Sequence, residues 1–289
     1  MDKLEACPTQ MIRANSCPFV ANPILLIDVG NTNTHIGIAT EQKILSQTDI
    51  PTALLSSNGL HRALAQLRRR GSAVSARKSA PNRGGDAVPA IRGATIASVV
   101  PKMVPVLRAG LRRHFAVTPI VVSADIPLGV KVDYPNKEQI GADRLANAVG
   151  VFKLYGAPAV VVDFGTAVTF DIVDKRGAYI GGVIAPGLAA MTDYLYQRTA
   201  LLPKIDLAEP RSMIGKNTVQ AMQIGAVVGY RGLIKEILAD VKRELRAQKL
   251  HVVATGGYSK LIAKKIPDIQ HVNSLLTLEG LRFIYLLNR

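Results

Sequence analysis

The feature that most constrains this chain of 289 residues is an internal repeat. The apolar run Ile24 to Ile27 ends in Asp28 and Gly30, and the run AVVVD from Ala159 ends in Asp163 and Gly165. At a constant offset of 135 residues Asp28 aligns with Asp163, Gly30 with Gly165 and Thr34 with Thr169. Each copy continues into alternating apolar and polar residues, HIGIA and KILSQTDI in the first, VTFDIVD and AYIGGVI in the second. Short apolar runs bounded by glycine read as buried strands, and alternation as half-buried ones. Both copies therefore predict a strand, a tight turn and a hairpin. A chain carrying that unit twice is expected to build two similar halves.

The intervening pattern fills in helices. TIASVV and PIVV read as strands around a helix over Met103 to Phe115, and a further helix is expected over about Glu138 to Tyr155. Past the second hairpin come long helices from about Lys216 to Gln248, then the strand HVVA and the turn Thr255-Gly256-Gly257. A helix follows that turn, and another is expected from about Thr277. Strands alternating with helices place the chain in the α/β class.

A hydrophobic fraction of 48% against 20% charged excludes a mostly disordered protein. No apolar run approaches the roughly 20 residues of a spanning helix. Residues 1–22 read as a tail without the apolar stretch of a signal peptide. Cys7 and Cys17 both fall in that tail, without metal-ligand spacing. The expectation is a reduced, cytoplasmic enzyme with no membrane partner.

The formal charge is +15, and part of the excess is local. After a helix expected from about Gly59, the stretch from Arg68 to Arg92 carries seven basic residues against Asp86 alone, set among Gly, Ser, Ala and Pro. It reads as a solvated surface insertion rather than a nucleic-acid arm, because no aromatic residue is there to stack a base.

A strand that delivers Asp-x-Gly into small polar residues suits phosphate. Glycine lets backbone N–H groups approach an anion, Asn31, Thr32 and Thr34 add short donors, and the carboxylate can hold Mg²⁺ through water. Two such turns across a cleft would grip one polyphosphate from both sides. The competing account is an ordinary hairpin with Asp and Asn as turn formers, and the pairing of two turns favours phosphate. TGGYS, at Thr255 to Ser259, would let a flat adenine or ribose lie against backbone, with a helix N-terminus adding positive potential. Neither G-x-x-x-x-G-K-[ST] nor G-x-G-x-x-G occurs, which argues against P-loop kinases and dinucleotide-binding dehydrogenases.

Asp143 and Arg144 sit in the early turns of an otherwise apolar helix, IGADRLANAVGVF. Adjacent charges there are costly unless they face a cavity. A cavity-facing Asp143 could accept a hydroxyl proton while Arg144 binds an anionic group; the alternative is a surface ion pair of little worth.

In order along the chain, IDVGNTNTHIGIA, IASVVP, Tyr134 with GADR seven residues on, VVDFGTAVTFDIVD, GGVIAPG, RTALLP and VATGGYS resemble the type III pantothenate kinases. These belong to the acetate kinase/sugar kinase/Hsp70/actin superfamily, and the resemblance runs from about Ile24 to Asn288, interrupted by the basic insertion. It implies two ribonuclease H-like (actin-like ATPase) domains with a cleft between them, over residues 23–148, with the insertion at about 68–93, and 149–289. It implies ATP-dependent phosphorylation of pantothenate to 4′-phosphopantothenate, the first step of coenzyme A biosynthesis.

By position, the resemblance places Asp28, Val29, Gly30, Asn31, Thr32, Asn33, Thr34, His35 and Thr166 at ATP, with Mg²⁺. It places Asp163 at a K⁺ or NH₄⁺ ion and makes Asp143 the general base. Tyr134, Gly141, Ala142, Asp143 and Arg144 would bind pantothenate, and Thr199 would complete that pocket at a homodimer interface. Without the resemblance Tyr134 reads as a loop cap, Thr199 as a helix-end residue and His35 as the outer face of a strand. Two other readings compete: a nucleic-acid-associated transcriptional accessory factor using the Arg-rich insertion, and another kinase or phosphohydrolase of the same superfamily.

Overall fold

The computed structural model describes residues 23–55, 60 and 91–289. The tail with both cysteines, the helix expected from Gly59 apart from Leu60, and the insertion up to residue 90 lie outside the described residues. The first sheet contains β1 (Ile24–Val29), β2 (Asn33–Ala39), β3 (Ile44–Pro51), β4 (Gly93–Ser98) and β5 (Ile120–Val121), with α1 (Met103–Phe115) between the last two. The short strand β6 (Lys131–Val132) and helix α2 (Ala142–Tyr155) lead into the second half. That half comprises β7 (Ala159–Phe164), β8 (Ala167–Val173), β9 (Ala178–Pro186), α3 (Leu188–Arg198), α4 (Thr218–Glu244), β10 (His251–Thr255), α5 (Ser259–Ala263), β11 (His271–Val272) and α6 (Leu276–Leu287).

The first sheet has the order β3-β2-β1-β4-β5, and the second β11-β10-β7-β8-β9-β6. Apart from the edge strand β6, one order repeats the other. In each, a central strand lies antiparallel to its hairpin partner and parallel to the next strand. The chain is an α/β protein of two ribonuclease H-like domains, and the repeat in sequence is a repeat in topology.

Alternation along the central strands sorts the core. Leu25, Ile27 and Val29 pack with Leu107 and Leu111 of α1, whereas Ile24 and Leu26 face the other way. In β7, Val160, Val162 and Phe164 pack with α4, and Ala159 and Val161 turn to the opposite side. Ile24, Leu26, Ala159 and Val161 thus share one cluster with Leu145 and Val149 of α2 and Leu281 and Ile284 of α6. Both sheets close on this middle layer of two helices. The helices cross in backbone contact: a Cβ on Gly280 would stand 1.9 Å from the Ala146 carbonyl oxygen, so only glycine fits there.

Some expected boundaries move. The helix expected from Glu138 starts at Ala142, because Lys137–Gln139 form a separate 3-10 turn and Gly141 is extended at φ −56°, ψ 137°. The division at 148/149 falls inside α2, which is one continuous helix. The basic insertion ends before residue 93: Ile91 is buried and Gly93 opens β4. Helix α3 carries no sequence expectation of its own. Among the described residues no helix is long and apolar enough to cross a membrane.

Candidate active site

The alternation that places Ile24 and Leu26 in the middle layer also turns Asp28 toward it, and Asp163 follows Ala159 and Val161 in the same way. Two carboxylates therefore end two central strands and look into the space between the sheets. Helix α2 brings a third, Asp143, in its first turn. Burial pushes Asp28 up to about 7, with the charges of Asp143 and Asp163 adding and His35 opposing. Asp163 rises to about 6 by burial, restrained by a hydrogen bond from Asn147 and raised again by Asp143. Asp143 itself is raised by burial against the pull of the Arg144 N–H. A carboxylate raised in this way is a better proton acceptor than a solvated one.

The two turns are closed alike but differ in length. Val29 pairs with Thr34 across Gly30 to Asn33, and the Gly30 N–H donates to the Asn33 carbonyl at 3.0 Å. Phe164 pairs with Val168 across Gly165 to Ala167, and the Gly165 N–H donates to the Ala167 carbonyl at 3.0 Å. The second turn is one residue shorter, so the offset of 135 holds only up to the glycines. Beyond them Asp28 faces His35 and Asp163 faces Thr169, which removes the expected match of Thr34 with Thr169. Across the gap the hydroxyls of Thr32 and Thr166 share a hydrogen bond of 3.0 Å, so the tips of the two turns meet.

A buried network holds Arg144. Its Nε donates to Asp171 Oδ1 at 2.6 Å, its Nη2 to the Phe170 carbonyl at 3.3 Å, and its guanidinium lies 5.9 Å from the centre of the Tyr179 ring. Tyr134 packs beside Tyr179, with ring centres 6.3 Å apart. Asp171 is fully buried and pushed up to about 7 by that burial, which Arg144 opposes. Asn147, 1% exposed, donates from Nδ2 to Asp163 Oδ2 at 3.2 Å and to Asp171 Oδ2 at 3.1 Å, and its carbonyl accepts from Thr277 Oγ1 at 2.8 Å.

A cavity of about 260 Å³ opens beside the carboxylates, lined by Asp28, His35, Gln47, Asp49, Asp163, Gly256, Gly257, Lys260, Ser274 and Thr277. Gly256 has φ +85°, and a Cβ there would stand 2.6 Å from Asp163 Oδ1, so this turn admits only glycine. Helix α5 after it has five residues. The positive potential expected from its N-terminus is correspondingly small, and open backbone at Gly257 is what the turn offers.

The expected residues fall into groups. Asn31, Thr32, Asn33 and Thr166 are exposed at the two tips, and Asp28, Gly30 and His35 are half-buried. Val29 and Thr34 are fully buried; Val29 belongs to the core, and the Thr34 hydroxyl bonds to that of Thr52 at 2.9 Å. Thr52 in turn donates to the Gly30 carbonyl at 2.8 Å, so Thr34 braces the turn from behind. His35 is not on an outer face: it lines the cavity and pairs with Asp49 at 2.7 Å, which raises the imidazole and lowers the carboxylate. Gly141, Ala142, Asp143 and Arg144 open α2, and the Asp143 side chain folds back over Gly141. Thr199 caps α3, donating to the Leu195 carbonyl at 2.9 Å and accepting from the Leu202 N–H at 3.2 Å. Asn147, Asp171, Thr277 and Asp49 are absent from the sequence-based site.

Residues 24–240 match the family model described as type III pantothenate kinase. A type III pantothenate kinase of Akkermansia muciniphila is 46% identical over 267 residues, covering 91% of this chain and 98% of the relative. Another, of Methylacidiphilum infernorum, is 40% identical over 263 residues, covering 90% and 87%. Among solved structures, one described as a conserved putative Baf family transcriptional activator from Campylobacter jejuni superposes with a TM-score of 0.53 at 18% identity, covering 91% of this chain and 98% of that one. At that identity the likeness extends to the fold alone.

Proposed function

The chain belongs to the type III pantothenate kinase family, and from that premise we propose that it transfers the γ-phosphoryl group of ATP to the hydroxyl of pantothenate, giving 4′-phosphopantothenate and ADP at the entry to coenzyme A biosynthesis in the cytoplasm. The observation that carries this reading is the meeting of Asp28 and Asp163, one from each central strand, at the wall of one cavity, with the tips of the two turns joined and α2, which carries Asp143, tied to Asp163 through Asn147.

Phosphoryl transfer needs little covalent help from a protein, so positioning and charge neutralisation dominate. The tips at Asn31 to Asn33 and at Thr166 offer N–H and hydroxyl donors to the polyphosphate from two sides. Asp143 accepts the hydroxyl proton as the oxygen attacks phosphorus and ADP departs. Arg144 has Nε and Nη2 committed inward, so Nη1 is left to meet the substrate carboxylate. Tyr134, Gly141 and Ala142 line the approach.

Asp28, a carboxylate beside the first turn, fits Mg²⁺, and Asp163 Oδ1, facing Gly256, fits K⁺ or NH₄⁺; both are hard oxygen donors. Bound there, these cations would offset the phosphate charge.

Thr199 joins the pocket from a second copy. Support for a homodimer comes from the apolar surface around α3, where Ile184, Met191, Tyr194, Leu195, Tyr196 and Leu201 are all exposed. The names of the relatives favour this reading over a nucleic-acid-associated factor and over another kinase or phosphohydrolase of the superfamily. The test is phosphorylation of pantothenate by the purified protein with ATP and Mg²⁺, in K⁺ and in Na⁺. Potassium-dependent 4′-phosphopantothenate is the expected product, and turnover of sugars without pantothenate overturns the reading.

A further inference from the structure

We propose that Asn147 is a positioning residue that couples the cation carboxylate Asp163 to the substrate-binding Arg144, so that pantothenate affinity depends on whether the cation is bound. The inference rests on the site assignments above and adds to them a link between two of the sites.

Asn147 lies one helical turn beyond Asp143, on the same face of α2. A side-chain amide has two N–H donors and one carbonyl. Here one N–H goes to Asp163 on β7, the other to Asp171 on β8, and the carbonyl accepts from Thr277 on α6. The opposite amide orientation would aim its oxygen at two carboxylates, so the network fixes which atom is nitrogen. Asp171 spends its other oxygen on Arg144 Nε at 2.6 Å. One rigid planar group thus stands between the carboxylate that faces the cation and the carboxylate that aims the guanidinium. With a cation held at Asp163, the amide bond from Asn147 to that carboxylate would shift or weaken, and the second bond of the same nitrogen would transmit that change to Asp171 and Arg144. Linkage makes the effect mutual: pantothenate also tightens the cation.

A buried asparagine could equally serve only to satisfy two buried carboxylates, and the two roles differ in what a variant does. Pantothenate is titrated calorimetrically into protein saturated with a non-hydrolysable ATP analogue and Mg²⁺, in KCl and in choline chloride of equal ionic strength. Wild type is expected to bind more tightly in KCl. In Asn147→Ala, affinity is expected to fall about tenfold, the range for partners that orient a binding group, and to become equal in the two salts. In steady state its KM for pantothenate rises while its KM for ATP stays within about threefold. Thr277→Val keeps the amide but releases its carbonyl, and is expected to shrink the salt ratio in the same direction by a smaller factor; it decides the matter if Asn147→Ala does not fold. A variant that keeps the wild-type salt ratio and loses only active fraction overturns the proposal. Wild type binding pantothenate equally in both salts overturns the coupling and leaves the substrate assignment standing. Wild type binding none overturns both.

Discussion

The turn at Gly30 and the turn at Gly165 repeat one arrangement in different surroundings. Both follow a buried central strand, both carry Asp two residues before glycine, and both close with one N–H to carbonyl bond of 3.0 Å. The missing residue in the second turn changes what stands opposite the carboxylate: His35 with Asp49 behind it on one side, Thr169 on the other. The partners from the middle layer differ too. Asp163 receives the Asn147 amide, whereas among the described residues Asp28 takes no side-chain hydrogen bond. The scaffold repeats, and a turn one residue shorter together with one helix gives the two carboxylates different partners.

The largest expected effect tests the carboxylate that both halves share. Asp143→Asn removes the proposed proton acceptor, and kcat is expected to fall roughly 10²- to 10⁴-fold while the melting temperature holds. Near-wild-type turnover would remove Asp143 from the base role. Next comes the contrast between the halves. Asp163→Asn is expected to erase the rate advantage of K⁺ over Na⁺, whereas Asp28→Asn lowers turnover in both salts and keeps their ratio. Equal effects would show that the two carboxylates act as one site.

The third test uses pH. Asp28, Asp163 and Asp171 are raised to about 7, 6 and 7 from an ordinary 3.8, so between about pH 4 and 7 these three groups hold more protons in the folded chain than in the unfolded one. Stability contributed by these groups therefore falls as pH rises through that window and levels off above it. Melting of nucleotide-free protein in choline buffers should show a higher melting temperature at pH 5.5 than at pH 7.5. Asp28→Asn should flatten the slope more than Asp163→Asn, because its shift is larger.

The smallest effect concerns the turns themselves. A Cβ on Gly30 would meet the Asn33 carbonyl at 2.9 Å, but on Gly165 the nearest atom, the Ala167 carbonyl oxygen, is at 3.4 Å. Gly30→Ala is expected to destabilise by about 1–3 kcal/mol and Gly165→Ala by less than about 1, read from urea unfolding. The reverse order would mean that the shorter turn is the tighter one.

Much of this was legible in the residues. ILLI and AVVVD announce the central strands, alternation announces the hairpins, and Asp28, Gly30, Asp163 and Gly165 emerge from the offset alone. The one-residue slip was hidden because a constant offset assumes turns of equal length, and a threonine happens to stand at both aligned positions. Asn147 and Asp171 were overlooked although each interrupts an apolar pattern, RLANAVGV and VTFDIV. A polar group in an apolar helix, the feature that singles out Asp143, recurs one turn later at Asn147. The pairing of His35 with Asp49 depends on register between β2 and β3, which alternation does not specify. Helix α3 shows no apolar face buried against a sheet, since Leu188 is the only large apolar residue it buries, and so gives little periodic signal.

Helix α6 has a consequence for how the molecule comes into being. Leu276, Leu278, Leu281 and Ile284 are each at most 3% exposed, and the helix packs on α2 and on β1, β2 and β4 of the first sheet. A late segment of the chain therefore covers an early one. A nascent chain can pair the strands of its first half early, yet that half keeps an uncovered apolar face until α6 has been made. A chain that stops before Leu276 would leave that face open.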